Sequence, residues 1–181
     1  MPTSGQSAQT ACTTGTYQPS TGQTTCLDAD AGFYVTSTAS TSQTACAPGA
    51  YQPSTGQTTC LDADAGSYVP GYMEVEQYEC SVGTYQPSTG QASCLDADSG
   101  HYVGSTGQSA QTACSAGTYN PDTGQTSCLD ADSGHYVDST GQSAQTACGL
   151  VGAGRAVGLG GLAGGRDIVA RVGVEAGGLS E

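Results

Sequence analysis

The chain has 181 residues, with no Trp, one Phe, 28 Gly and nine Cys, so it has the length of a domain without the apolar side chains of an ordinary core. Of its 16 acidic residues only Asp167, Glu175 and Glu181 lie beyond residue 148, and all three basic residues, Arg155, Arg166 and Arg171, lie there too. The first 148 residues are therefore net acidic with no Lys or Arg, which excludes a nucleic-acid footprint and disfavours an anionic membrane surface.

In chain order, the opening MPTSGQSAQT has no basic segment followed by an apolar one, so no secretory signal is read there. SGQSAQTAC from Ser4 returns as TGQSAQTAC from Thr106 and Thr140. Residues 1–11 are thus a partial repeat, expected of a fragment or truncated gene model whose missing upstream part would carry the signal. No stretch reads as a transmembrane span.

From Cys12 the text becomes periodic. Cys12, Cys26, Cys46, Cys60, Cys80, Cys94, Cys114, Cys128 and Cys148 are spaced alternately 14 and 20 apart, a 34-residue period. The tyrosines halve it: Tyr17, Tyr34, Tyr51, Tyr68, Tyr85, Tyr102, Tyr119 and Tyr136 recur at half that period, each two positions after a glycine. The unit is C-x-x-G-x-Y-x(8)-C, and every second unit has lost both cysteines. Ala29 and Gln43, Ala63 and Gln77, Ala97 and Gln111, and Ala131 and Gln145 stand in their places. Positions that vanish together are partners, which favours Cys12–Cys26, Cys46–Cys60, Cys80–Cys94 and Cys114–Cys128. The rival pairing, Cys26 to Cys46 and so on, explains the double loss less well, but sequence alone leaves connectivity open. Each favoured bridge would close a 15-residue loop, worth about 3 kcal/mol in the chain-entropy model.

Inside each loop PSTG or PDTG is turn chemistry, Pro fixing φ and Gly permitting positive φ. Short strands are expected around Tyr17 and Thr24, giving one stapled hairpin per unit. No helical period is found before residue 149. The fold class is therefore a small disulfide-rich, mostly β or irregular, elongated tandem array of 17-residue hairpin units. One tyrosine ring per unit is expected to stack on the neighbouring backbone and disulfide; a solvent-facing aromatic row for glycans or partners is the alternative.

CTTGTYQPSTGQTTC resembles the cysteine-rich repeats of ephrin-receptor-like ectodomains and is similar to the first module of tumour necrosis factor receptor repeats. Cys12, Gly15, Tyr17, Gly22 and Cys26 carry the resemblance, which extends over about residues 4–148. It implies an extracellular, disulfide-bonded receptor-type fold. The family's C-x-x-C becomes Cys26-Leu27-Asp28-Ala29 here, so half its bridges are missing and the stiffness of the alternate units is in question. No kinase catalytic motif is present.

The pairs Asp28 and Asp30, Asp62 and Asp64, Asp96 and Asp98, and Asp130 and Asp132 have the D-x-D start of a calcium loop, but the later bidentate Glu is missing. They are candidate calcium ligands set against a solvated acidic turn joining units. Zinc is disfavoured because no two cysteines lie closer in sequence than Cys12 and Cys26 do, far from the C-x-x-C spacing of a structural site. His101 and His135 are read as exposed repeat residues, no enzyme is expected, and no cofactor is called for. Ice binding would need a flatter grid of Thr than this chain supplies. The only Asn, Asn120, precedes Pro121 and makes no N-glycosylation site, whereas O-linked sugars on the Ser and Thr are undecided.

Two breaks interrupt the text. Pro70–Glu79, PGYMEVEQYE, carries Glu74, Glu76 and Glu79 with two extra tyrosines, Tyr72 and Tyr78; drift and a private role are the two readings. After Cys148 the repeat stops. Residues 149–181 are Gly/Ala/Val-rich, and the place of a partner cysteine is taken by Leu162. This tail reads as a junction to a linker or weak helix, or as a shifted frame, and leaves Cys148 an unpaired thiol. Residues 12–148 are expected to form an extracellular or cell-surface spacer, adhesion or display segment, meeting an unknown protein or glycan. A ligand-binding receptor ectodomain fragment and a calcium-binding matrix module are the alternatives.

Overall fold

A computed structural model describes residues 9–149. The expectations for the first eight residues and for 150–181 lie outside the described residues. Eight two-stranded antiparallel hairpins follow one another: β1 (Thr16–Tyr17) with β2 (Leu27–Asp28), β3 (Phe33–Tyr34) with β4 (Thr44–Ala45), β5 (Ala50–Tyr51) with β6 (Leu61–Asp62), and β7 (Ser67–Tyr68) with β8 (Tyr78–Glu79). The second half repeats them: β9 (Thr84–Tyr85) with β10 (Leu95–Asp96), β11 (His101–Tyr102) with β12 (Thr112–Ala113), β13 (Thr118–Tyr119) with β14 (Leu129–Asp130), and β15 (His135–Tyr136) with β16 (Thr146–Ala147). The described residues contain no helix.

The first strand of each hairpin is the Gly-x-Tyr text. A tight turn precedes it, with the Thr16 amide donating to the Thr13 carbonyl at 3.1 Å. An aromatic beside a small or β-branched residue suits an extended backbone. The second strand differs from the expectation. It is Leu27–Asp28, beyond the second cysteine, with Tyr17 opposite Leu27 and Thr16 opposite Asp28; the segment around Thr24 is not a strand. The reason is local: Gln18 Nε2 donates back to the Thr25 carbonyl at 2.6 Å, and the Ser20 amide donates to Gln18 Oε1 at 3.0 Å. The PSTG loop is thereby folded onto its own glutamine instead of lying beside the first strand.

A two-residue hairpin is far too short to stand alone, and each one is tied to its successors. The Gly15 amide donates to the Val35 carbonyl (2.8 Å) and the Gln18 amide to the Ser40 carbonyl (3.0 Å), both in the next unit. The same two bonds recur from Gly49 to Val69 and Gln52 to Glu74, and from Gly83 to Val103 and Gln86 to Gln108. A return bond runs from the loop residue of each unit to the first-cysteine position of the unit before it, as from Gly56 to Ala29 (2.7 Å).

Contact also reaches two units ahead. A Cβ on Gly15 would collide with the carbonyl oxygen of Gly56, one on Gly49 with that of Gly90, and one on Gly83 with that of Gly124. These glycines also have positive φ, 81°, 91° and 82°, so two independent demands fall on one residue.

The core is a thin file of small side chains. Cys46, Ala63, Cys80, Ala97 and Cys114 are fully buried, one per unit, beside Val35, Val69 and Val103 in the alternate units and Gln52, Gln86 and Asn120 between them. The unit tyrosines Tyr17, Tyr34, Tyr51, Tyr68, Tyr85, Tyr102 and Tyr119 are half-buried and Tyr136 is exposed. Tyr34 shares a shallow hollow with Thr59 and Cys60 of the next unit, and Tyr102 shares one with Ser127 and Cys128. Among the described residues no buried side-chain polar atom lacks a hydrogen-bond partner.

Candidate functional site

The two residues that define each unit, at the first and second cysteine positions, are joined in two chemically different ways. In the hairpins that begin at β1, β5, β9 and β13 the join is covalent: Cys12–Cys26, Cys46–Cys60, Cys80–Cys94 and Cys114–Cys128, with Cα–Cα distances of 5.7, 5.8, 5.8 and 5.8 Å. These separations suit a disulfide without backbone movement.

In the other four hairpins a pair of hydrogen bonds takes its place. The Asp30 amide donates to Gln43 Oε1 and Gln43 Nε2 donates to Asp30 Oδ2, both at 2.7 Å. The clasp recurs at Asp64–Gln77 (2.7 and 2.8 Å) and Asp98–Gln111 (2.6 Å each), and again between Asp132 and Gln145. Ala29, Ala63 and Ala97 fill the core position that a cysteine fills elsewhere, with no exposed surface. The glutamine in the second cysteine position reaches past the alanine to the aspartate one residue on. A carboxylate acceptor makes this a charge-assisted bond, stronger than one between neutral groups.

The aspartate pairs are therefore divided. Asp30, Asp64, Asp98 and Asp132 belong to the clasps. Asp28, Asp62, Asp96 and Asp130 lie on second strands, where Asp28, Asp62 and Asp96 face the loop glycine two units ahead: a Cβ added at Gly56, Gly90 or Gly124 would touch the respective carboxylate. Neither set is a bare linker turn. Among the described residues no three His, Cys, Asp or Glu side chains converge as a metal site would require. His101 lies on β11 with Nδ1 3.3 Å from the Ser99 carbonyl, and His135 is exposed on β15.

The glutamine clasp is the functional element that sequence reading missed. Its signal was present: the vacated positions hold Ala and Gln four times over, never another pair. A second polar tie alternates with it. In the stapled units Gln52 and Gln86 repeat the Gln18 bonds, and Asn120 Nδ2 donates both to Ser127 of its own unit (3.0 Å) and to the His101 carbonyl of the unit before (2.8 Å). Cys148 is free and exposed. Its amide still closes the preceding hairpin on Gly134, as the amide at the first-cysteine position after each of the other described hairpins does.

Pro70–Glu79 keeps the backbone of the other loops while changing the surface. The Gln52 amide donates to the Glu74 carbonyl (3.0 Å), the Met73 amide to the Cys46 carbonyl (3.1 Å), and Gln77 is clasped to Asp64. Met73 occupies the loop-glycine position with φ 62°. The rings of Tyr68 and Tyr78, opposite one another on β7 and β8, pack with centroids 6.0 Å apart. The Tyr78 hydroxyl donates to Glu74 Oε2 at 3.3 Å. The charge of Glu74, then partial desolvation and Glu76, hold the Tyr78 phenol above its ordinary pKa of 10.0.

A tandem array of two-residue hairpins, held alternately by cystine and by Asp–Gln clasps, defines a disulfide-rich repeat module. Residues 3–46 match the family model described as tyrosine-protein kinase ephrin type A/B receptor-like. That segment spans one stapled and one clasped hairpin, and the units that follow rewrite its text at the same spacing. The family is a receptor-type cysteine-rich module and not a catalytic domain. No curated protein matches the chain.

Proposed function

We propose that residues 12–148 serve as a structural spacer or display module of an extracellular or cell-surface protein. The observation that carries this reading is how the repeated residues are used. The unit glycines admit the backbone two units ahead, the Cys/Ala file forms the core, and the glutamines tie loops and clasps. What recurs is consumed in holding one unit to the next. Such a chain gains length in equal steps, and its four disulfides suit an oxidising compartment. Among the described residues no helix is long and apolar enough to cross a membrane.

The test is removal of one 34-residue period from the full chain, either residues 13–46 or residues 81–114, each of which leaves the cysteine spacing intact. Dyes placed beyond both ends should approach by the same step in both deletions, and any adhesive or display activity should fall equally. Abolition of that activity by one deletion and not by the other would overturn the spacer reading. A ligand-binding receptor ectodomain is the second reading. It is favoured by the one loop whose surface departs from the rest, Pro70–Glu79.

A further inference from the structure

Among the described residues, the exposed large apolar residues elsewhere in the array are Leu27, Leu61, Leu95 and Leu129, one per stapled hairpin, with Val82 and Tyr136. In the loop after β7 and at the start of β8 four fall within seven residues of sequence, Tyr72 at 65% exposure, Met73 at 52%, Val75 at 46% and Tyr78 at 37%. Glu76 is exposed among them and Glu74 is half-exposed. Glu79 is engaged by the Thr106 hydroxyl, between β11 and β12, at 3.0 Å.

Tyr78 packs on Tyr68 and bonds Glu74 within the hairpin, but the backbone plan does not depend on these side chains. At the corresponding places one full period later, Tyr72, Met73, Val75, Glu76 and Tyr78 are Thr106, Gly107, Ser109, Ala110 and Thr112, on the same backbone plan. Met73 even accepts a left-handed φ that the array elsewhere mostly gives to glycine, a conformation disfavoured for a residue that carries a side chain. Clasp, strand pair and inter-unit bonds hold the loop's backbone. The side chains are therefore presented on a preorganised support, which lowers the entropy lost on binding.

We propose that this loop is a docking surface for a cationic protein segment, one in which Lys or Arg alternates with apolar residues. Charge complementarity selects that partner. The first 148 residues contain no Lys or Arg, so the carboxylates of Glu74 and Glu76 have no ammonium or guanidinium side chain of that region to pair with. An anionic glycan or an anionic lipid would be repelled. Tyr72 and Tyr78 offer aromatic faces to a guanidinium or ammonium group, and Met73 and Val75 offer adaptable apolar area. The surface is independent of the spacer role of the repeated text, since the two deletions above leave residues 70–79 in place.

The test pans a phage-displayed library of random peptides against the full chain. Its counterpart carries Tyr72→Thr, Met73→Gly, Val75→Ser, Glu76→Ala and Tyr78→Thr, which restore the chain's own repeat text and so preserve folding. A second variant, Glu74→Gln with Glu76→Gln, removes only charge. Selected peptides should be rich in Lys or Arg beside apolar residues. They should bind the wild-type chain at least about tenfold more tightly than either variant, and lose affinity as salt rises. Three outcomes overturn the proposal: peptides without cationic enrichment, peptides that bind the repeat-text variant equally well, or no selection above background. Binding of a neutral glycan on an array, lost in the repeat-text variant while peptides show no preference, would assign the loop to sugars and equally overturn it.

Discussion

Replacing Gly83 by Ala and, separately, Gly117 by Ala separates the two demands the fold makes on its unit glycines. The two residues occupy the same place in successive stapled hairpins, with φ of 82° and 89°. Both substitutions meet the left-handed penalty, about 1–2 kcal/mol for an L residue. They differ in what the new methyl meets. At Gly83 it would overlap the backbone carbonyl of Gly124, which bonds and turns hold in place, whereas at Gly117 none of the described residues lies within 4 Å. Forcing a methyl into occupied backbone space costs about 1–3 kcal/mol more. Gly83→Ala should therefore destabilise its hairpin by about 2–5 kcal/mol and Gly117→Ala by about 1–2 kcal/mol. Native-state hydrogen exchange reads this locally. The Ala97 amide donates to Gly83 (2.8 Å) and the Ala131 amide to Gly117 (2.9 Å), so each reports the opening of its own hairpin. Protection at Ala97 should fall about 5- to 150-fold further than protection at Ala131, the equivalent of that extra penalty of about 1–3 kcal/mol. Equal losses at the two sites would show that φ alone selects glycine here and that the contact two units ahead carries no weight.

Three further outcomes are expected. Gln111→Ala should cost about 1–2 kcal/mol by removing both bonds of the Asp98 clasp, measured by the same exchange experiment at the Cys114 amide; no change would mean the clasp is ornamental. In an ultraviolet difference titration Glu74→Gln should bring the pKa of Tyr78 down toward its ordinary value of 10.0. Because the folded pKa is raised, whatever this group contributes to stability is present below the ordinary value and lost as pH climbs through the higher folded one. Millimolar calcium should leave the melting temperature unchanged. A rise that Asp96→Asn with Asp98→Asn abolishes would establish a metal site.

The unit itself was legible. Tyr and Gly give its length, and the joint loss of two cysteines points to the pairs that the fold contains. The hairpins of the stapled units were legible too, because Pro and Gly in PSTG and PDTG favour a turn. The second strand was misplaced since its place depends on a side chain: Gln18 draws the loop inward, and only Leu27–Asp28 is left to pair with Tyr17. The clasp was hidden because Asp and Gln are common polar residues, and a pairing such as Asp30 with Gln43 has no motif of its own. The glycine at the head of each unit was seen as a beat in the rhythm. Its cause lies two units further along the chain, at Gly56 for Gly15, beyond the reach of any local pattern. Within the sequence one comparison does point to it. The loop position that needs only positive φ is Ala39 and Met73 in two units, whereas the head position is Gly in all eight.

Staple and clasp do one job by different physics, and the difference predicts where the array gives way. A disulfide closing a 15-residue loop acts largely on the unfolded chain, worth about 3 kcal/mol, and survives any local opening. A clasp contributes two hydrogen bonds of about 1 kcal/mol each, reversible and lost the moment the hairpin opens. Both sit on the same file of small buried residues, so little else distinguishes the two kinds of unit. Each clasped hairpin between two stapled ones is tied to both by the inter-unit bonds at its glycine and loop. Under oxidising conditions clasped hairpins should thus open first and singly, with slower-exchanging stapled hairpins on either side. Reduction should remove that alternation. The Cys46 and Cys80 amides, which close clasped hairpins, and the Ala63 and Ala97 amides, which close stapled ones, should then exchange alike, as the array melts without a core large enough to replace its bridges. Persistence of the alternating pattern after full reduction would mean that the stapled units owe their stability to the Gln52 and Gln86 ties instead of to sulfur.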